Sequence, residues 1–181
     1  SSTNTITFQP DPANTAPIKL EYNASSSSED GVILLDKTGY MTFDGIDIEA
    51  LNGGGLSTVV WLKGTTDINF LNCSMHTPST SDINNYVQET DNSTWENCHI
   101  TGGSYGMYLF GNSSDYDMNN TLMNCVIEDM QSTGMYCYYQ ENVTLIGNTI
   151  DARDPNASIT SYGMYMYCYN ANQATIQKNY F

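Results

Sequence analysis

The chain has 181 residues, a net charge of −15 with only 5 basic side chains, and a hydrophobic fraction of 40%. This length is enough for one sizeable core, and the hydrophobic fraction is too high for general disorder. Nucleic acids and anionic membranes require basic surfaces, so the composition excludes both as expected partners. No apolar run of about 18 residues is present, so no membrane-spanning helix is predicted.

The first and last residues both have the pattern of strands. Ile6-Thr-Phe8 near the start and Ile176-Gln-Lys178 near the end alternate apolar and polar side chains, and no basic, apolar leader precedes the first of them. We therefore expect residues 1–181 to be a single domain cut from a longer protein, truncated at both ends.

Two short elements alternate along the chain between polar loops. The first has apolar residues at its first and sixth positions, and its fourth position recurs at intervals of 23 to 31 residues. Its copies are Phe43–Ile48, Phe70–Met75, Trp95–Ile100, Leu122–Ile127, Leu145–Ile150 and Ile176–Phe181. The second element is Gly-Met-Tyr-x-Tyr in its clearest copies. The clearest copies are Gly106–Phe110, Gly134–Tyr138 and Gly163–Tyr167. Gly31–Leu35 and Val59–Lys63 occupy the same place in earlier coils, and Tyr86–Glu89 is a degenerate copy.

The repeats predict an all-β solenoid. Both elements alternate with period 2 and lack a helical apolar face, and no helix-length stretch separates them. A period in the twenties with short strands indicates a parallel β-helix of about six coils. Apolar residues at positions 1 and 6 of the first element would face opposite sides of one flat strand, so we predict a corner at positions 3 and 4. Asn and Gly, which tolerate left-handed backbone, dominate there.

The elements Gly106–Gly111 and Leu145–Ile150 resemble the repeats of the pectate-lyase-like superfamily of right-handed parallel β-helices. The opening residues 6–43 resemble large secreted β-helix proteins of Bacteroidetes. The resemblance covers essentially the whole chain and implies an extracellular or cell-surface protein. It leaves the activity open, because this fold carries lyases, hydrolases, adhesins and spacers. Cys73, Cys98 and Cys125 stand where the superfamily usually has a ladder of asparagines.

The second element predicts two aromatic columns on one face. Its Met and Leu side chains should point inward, and the alternate aromatic side chains outward, about 4.8 Å from their equivalents in the next coil. Such a ribbon suits stacking on sugar rings or docking of a partner's apolar surface; ladders that only stabilise the solenoid are the structural alternative. The candidate contact residues are Trp61, Tyr86, Tyr108, Phe110, Tyr136, Tyr138, Tyr165 and Tyr167.

The remaining polar motifs are weaker. Asp115, Asp117 and Asn119 alternate like the first ligands of a calcium loop but lack the Gly and Glu of an EF-hand. The sequence therefore predicts a solvated loop here and no cofactor, and calcium binding is the alternative. Cys73, Cys98 and Cys125 should stack as free interior thiols. An odd total of five cysteines excludes complete pairing.

Catalysis has little support in the sequence. Lyases of the superfamily use a basic residue beside acidic calcium ligands, and Arg153, between Asp151 and Asp154, is the only such cluster. Asp44-Gly-Ile-Asp47 resembles a hydrolase motif, but Asp47 should project outward alone, whereas hydrolases need paired carboxylates.

These observations favour a non-catalytic module of an adhesin, fibre or scaffold that contacts glycan or protein. The alternative is a fragment of a polysaccharide lyase or glycoside hydrolase. Exposed strand edges at both ends also predict end-to-end self-association.

Overall fold

The computed structural model describes residues 5–13, 16–25, 31–51, 58–151, 162–167 and 174–181. Within these ranges the regular structure consists of 21 strands. Among the same residues there is no helix with the length and apolarity that a membrane span requires.

The strands form three parallel sheets that the chain visits in a fixed order, so that one circuit makes one coil. The first sheet contains β1 (Ile6–Phe8), β4 (Gly39–Asp44), β7 (Thr66–Leu71), β10 (Thr94–Glu96), β14 (Thr121–Met123), β18 (Thr144–Ile146) and β21 (Thr175–Gln177). The second contains β2 (Ile18–Tyr22), β5 (Ile46–Ala50), β8 (Ser74–His76), β11 (His99–Thr101), β15 (Val126–Glu128) and β19 (Thr149–Asp151). The third contains β3 (Ile33–Asp36), β6 (Val60–Lys63), β9 (Ile83–Gln88), β12 (Tyr105–Phe110), β16 (Thr133–Tyr138) and β20 (Tyr162–Tyr167). A short extra pair, β13 (Asp117–Met118) and β17 (Gln140–Glu141), lies between the third and first sheets.

This arrangement is the predicted parallel β-helix. Equivalent repeat positions pair in register, as Trp95 does with Phe70 and Leu122. The degenerate element is confirmed as a strand of the third sheet, since Tyr86 of β9 pairs with Tyr108 of β12.

The predicted corner separates the first sheet from the second. Its third position has a positive φ in every described copy, and the residues there are Gly45, Asn72, Asn97, Asn124, Gly147 and Lys178. Asn and Gly reach this left-handed conformation at the least steric cost. The bend turns the fourth position inward, where Cys73, Cys98, Cys125 and Asn148 are all buried.

An internal aromatic stack follows the first sheet. The rings of Phe8, Phe43 and Phe70 have centroids 4.9 and 5.0 Å apart, and Trp95 continues the stack at 5.7 Å. Because Trp95 is fully buried, its indole N–H needs an internal acceptor. Asn85 of β9 provides one at 3.1 Å and occupies the place that Met107 has in the next coil. The degenerate copy thus carries a polar residue because the core tryptophan requires it.

The cysteines perform part of the role of asparagines. The Sγ atoms of the three corner cysteines each donate to the carbonyl oxygen of the first residue of the repeat element one coil earlier, at 3.3 to 3.4 Å. The donors are Cys73, Cys98 and Cys125, and the acceptors are Phe43, Phe70 and Trp95 respectively. Asn148 makes the equivalent bond to Leu122 O at 3.0 Å, and its Oδ1 also accepts from Cys125 N at 2.9 Å. A thiol can replace the donor of the asparagine amide but forms weaker hydrogen bonds. Cys73, Cys98 and Cys125 form no disulfide and are buried, as predicted.

Outer asparagine ladders explain four Asn-x-Ser/Thr sequences. Asn72, Asn92, Asn119 and Asn142 all have positive φ, and each side-chain amide donates to the neighbouring coil. The acceptors are Asp44, Thr66, Asn92 and Asn119 respectively. A left-handed asparagine followed by a strand that contains Ser or Thr produces the Asn-x-Ser/Thr motif, so the fold alone accounts for these four copies of the glycosylation signal.

Substitution of Gly134 tests the tightness of the third sheet. A Cβ at Gly134 would lie 2.6 Å from Gly163 O and also overlap Ile150 Cγ2. In the equivalent position of the next coil, a Cβ at Gly163 would meet its nearest atom, Phe181 Cβ, at an ordinary 3.5 Å. We expect Gly134→Ala to lower the free energy of unfolding by about 2 kcal/mol or more. Gly163→Ala, the matched control, should change it by less than about 0.5 kcal/mol in urea denaturation. Equal losses would contradict this packing.

The inner ladder gives a second prediction. Asn148→Ala removes a donor to Leu122 O and an acceptor for Cys125 N, both in the buried interior. We expect a loss of about 2 to 4 kcal/mol of unfolding free energy, because two buried backbone groups lose a partner. Cys98→Ala removes one weak donor and should cost about 1 kcal/mol. Urea unfolding midpoints that rank the two variants the other way would refute the assigned roles.

Candidate functional site

The outward side chains of the third sheet form an aromatic ladder of two columns. In the first column Trp61, Tyr86, Tyr108, Tyr136 and Tyr165 pair in register across five coils. In the second column Phe110 pairs with Tyr138, and Tyr167 follows in backbone register. Nothing is described of the Tyr167 side chain. The inward positions also agree with the prediction, because Met107, Leu109, Met135 and Cys137 are fully buried.

The rings of the first column stack on one another. Tyr108 and Tyr136 have centroids 4.7 Å apart and planes 5° apart; for Tyr136 and Tyr165 the values are 4.9 Å and 7°. Tyr86 breaks the regularity, since its plane is 74° from that of Tyr108. Across the two columns the centroids are 5.8 Å apart at Tyr108–Phe110 and 6.2 Å at Tyr136–Tyr138. The two columns therefore run side by side along the solenoid axis.

This stacking limits what the ladder can present. Rings this close cannot lie side by side in one plane, so each must cover part of its neighbour's face. Accordingly, the ladder rings from Trp61 to Tyr138 are half-buried, and Tyr165 is 40% exposed. We expected a flat ribbon of ring faces; the described surface is instead a ridge of ring edges and tyrosine hydroxyls.

Burial keeps the hydroxyls of Tyr86 and Tyr108 in this ridge protonated at neutral pH. Burial, with smaller effects from Tyr136 and Tyr86, raises the pKa of Tyr108 to about 12. Burial also raises the pKa of Tyr86. A protonated phenol both donates and accepts hydrogen bonds, so the ridge has the bonding capacity of a polyhydroxyl surface.

Four further tyrosines belong to the same surface but were not singled out from the sequence. Tyr105 packs edge-on against Tyr108 and Tyr136, and Tyr162 packs edge-on against Tyr165. Both precede the glycine of the second element by one residue, which is a signal that the repeat contains. Tyr139 contacts Tyr138 edge-on at 4.1 Å, and Tyr116 stacks on Tyr139 at 5.7 Å and 8°. Tyr116 lies in a loop that occurs in one coil among the described residues, so periodicity gives no signal for it.

Two of the three proposed calcium ligands, Asp115 and Asp117, line the same small cavity, and Asn119 lies outside that lining. Asp117 is buried and accepts a hydrogen bond from Gln140 Nε2 at 3.1 Å, whereas Asp115 is exposed. Asn119 donates to Asn92 within the outer ladder. Among the described ranges, no group of three or more His, Cys, Asp or Glu side chains could hold a metal ion. Calcium binding stays the alternative prediction.

The second sheet carries a polar cleft on its outer face. It has a volume of about 310 Å³, and its lining includes Lys19, Asp47, Glu49, His76 and His99. The prediction that Asp47 projects outward alone is therefore wrong, because other polar side chains line the same cleft. Lys19 forms ion pairs with Glu49 and with Glu21, the latter at 2.6 Å.

Two histidines extend this polar face. His99 Nε2 lies 2.8 Å from Glu128 Oε1, and His76 Nδ1 lies 2.9 Å from Thr101 Oγ1. The cleft therefore combines carboxylates with groups that can bind or transfer protons. Arg153, the basic residue considered for lyase chemistry, lies outside the described residues, as does Cys168.

Asp117 predicts a dependence of stability on pH. Burial raises the pKa of its carboxyl from 3.8 to about 7, against the hydrogen bonds from Gln140 and the Thr90 backbone. Between these values the native state holds a proton that the unfolded state has released, so the contribution of this group to stability falls as pH rises from 4 to 7. We expect the free energy of unfolding of Asp117→Asn, relative to that of wild type, to increase by on the order of 2 kcal/mol as the pH is raised from 4 to 8.

Urea unfolding across this pH range measures that difference. Asp115→Asn, at an exposed neighbouring carboxylate, is the control and should follow the wild-type profile. A constant difference between Asp117→Asn and wild type would refute the assignment.

The comparisons with known proteins agree with the architecture. The model of a family described as "Right handed beta helix region" matches residues 13–181. No curated protein and no solved structure matches the chain. With nearly the whole sequence matched and the coils stacked as described, the chain belongs to the right-handed β-helix family.

Proposed function

We propose that the chain is a non-catalytic binding module, extracellular or at the cell surface, that holds an extended glycan along its aromatic ladder. The observation that carries the proposal is the in-register first column of half-buried aromatic rings. It offers the same chemistry once per coil over five coils. The predicted role in an adhesin, fibre or scaffold fits such a surface.

The periodicity of the ladder favours a periodic ligand. Tyrosine hydroxyls and ring edges repeat about every 4.8 Å along one line. A linear polysaccharide presents hydroxyls and apolar ring edges at a comparable repeat, so it can make the same contact several times. Repeated weak contacts along one chain add up in affinity in the manner of multivalent binding.

The ladder also has the composition of a binding surface. Tyrosines combine a large apolar area with a polar end and lose little side-chain entropy on contact. Neighbouring rings already fix their orientation, as the 5° and 7° interplanar angles show. Preorganisation of this kind lowers the entropic cost of binding.

A glycoside hydrolase or lyase is the second candidate. The observation in its favour is the cleft of the second sheet, where Asp47 and Glu49 lie on the same side of β5. Hydrolysis of a glycosidic bond uses two carboxylates that flank it. Lys19, which also pairs with Glu21, already forms an ion pair with the Glu49 carboxylate. This engagement favours binding over catalysis.

Substitutions at Tyr136 test the binding proposal. A glycan array would identify a bound polysaccharide, and calorimetry would measure its affinity. We expect Tyr136→Ala to weaken binding about tenfold, which corresponds to about 1.4 kcal/mol. Tyr136→Phe, which keeps the stack and removes the hydroxyl, should lose less. Tyr40→Ala, at an exposed tyrosine of the first sheet, is the matched control and should bind as wild type.

Three results would contradict the proposal. Glycan binding that is unchanged in folded Tyr136→Ala would exclude the ladder as the site, and pull-down of a protein that depends on Tyr136 would support docking of a protein instead. Release of reducing ends from a polysaccharide by wild type, abolished in Asp47→Asn, would favour the hydrolase.

A further inference from the structure

One coil carries an insertion beside the aromatic ladder. Phe110 pairs with Tyr138, and Asp117 pairs with Gln140. Gln140 lies two positions after Tyr138, whereas Asp117 lies seven positions after Phe110. Five additional residues, 112–116, therefore leave the solenoid at the end of the second column. Insertions in a single repeat are placed on loops, often on the binding face.

The insertion is an ordered turn that is fixed to the solenoid. Asn112 and Asp115 exchange two backbone hydrogen bonds of 3.1 Å, and the Asn112 side chain accepts from Ser114 N at 3.1 Å. The Tyr116 ring stacks on Tyr139 of the next coil. These contacts hold the turn at a defined position next to Phe110 and Tyr138.

Residues of the turn line two clefts. The first has a volume of about 250 Å³ and is lined by Gln88, Glu89, Phe110, Gly111, Asn112, Ser113 and Tyr139. The second, of about 360 Å³, is lined by Ser113, Ser114, Asp115, Tyr116, Met118 and Glu141. Each combines aromatic surface with amide, hydroxyl or carboxylate groups. Pockets that hold small polar molecules have this mixture of apolar walls and a few polar groups.

The charge of the clefts selects the ligand. Their described lining residues include three carboxylates, Glu89, Asp115 and Glu141, and no Lys or Arg. Asp91 adds a further carboxylate in a small adjoining cavity. A uronate or sulfated sugar would bring further negative charge into this field, and like charges disfavour association. Neutral hydroxyls can donate to the carboxylates, and an amino group would also gain an electrostatic attraction.

We propose that the clefts around residues 112–116 bind a segment of a neutral or amino-bearing oligosaccharide and discriminate against acidic ones. This inference rests on the proposed function and names the substrate class of that surface: the glycan would lie along the ladder, and the insertion would determine which glycan is accepted. The acidic substrates of pectin chemistry are thereby excluded at this site.

Two probes of equal length test the inference, an oligomer of glucosamine and an oligomer of galacturonic acid. We expect the whole chain to bind the glucosamine oligomer at least about tenfold more tightly, a difference of about 1.4 kcal/mol. Added salt should reduce the difference, since screening weakens interactions between exposed charges. The measurement is calorimetry in EDTA and again in calcium chloride.

Three variants locate the effect. Deletion of residues 112–116 gives this coil the connection length that Tyr138-Tyr139-Gln140 has in the next one, and it should lower the affinity for the glucosamine oligomer about tenfold. Glu89→Gln combined with Asp115→Asn should bring the affinities of the two probes closer together without removing the turn. Glu96→Gln, a carboxylate of the first sheet outside the clefts, is the matched control and should alter neither value.

The outcomes separate this inference from the proposed function. If Tyr136→Ala loses binding but the deletion and the double variant do not, the ladder stands as the site and the inference is wrong. If no glycan binds the wild-type chain, the proposed function falls and the inference with it. Equal binding of the two probes, or tight galacturonate binding that appears on addition of calcium, overturns the charge argument. If the deletion fails to fold, the double variant decides alone.

Discussion

Parallel pairing in register places every side chain about 4.8 Å from its equivalent in the next coil, and the rest of the structure follows from this constraint. Whatever occupies one position must be able to pack on a copy of itself or on a close substitute. The rings of Phe43 and Phe70 do so in the interior, and the tyrosines of the ladder do so outside. Outer asparagines donate to their equivalents by the same rule.

The constraint also explains where the sequence departs from its own repeat. Trp95 has an indole N–H that a column of phenylalanines would not satisfy, and Asn85 replaces the expected apolar residue to accept it. At the corner, Cys98 and Asn148 make the same bond to the preceding coil with different donors. In both cases the hydrogen-bond partner lies within one coil or in the preceding one, because each coil contacts mainly its neighbours.

Much of the fold could be predicted because period 2 and the corner residues are local signals. Asn72 and Gly147 have the residue types that predict the bend, and both have a positive φ. Period 2 correctly predicts that Met135 points into the core and Tyr136 outward. Ring orientation could not be predicted, since it depends on how adjacent rings share one spacing. The clefts beside the ladder and the grouping of Asp47 with Lys19, His76 and His99 could not be predicted either, because both arise where different coils meet and have no motif of their own.

The direction of the hydrogen bonds between coils has a mechanical consequence. These bonds run along the solenoid axis, so tension applied between the two ends loads the interfaces between coils in series. The weakest interface opens first while the others keep their bonds, and the chain lengthens in steps of one coil. A coil of 27 residues, such as the one between positions 46 and 73, releases about 90 Å of extended chain in one step. A module built this way yields gradually under load and absorbs work at each step.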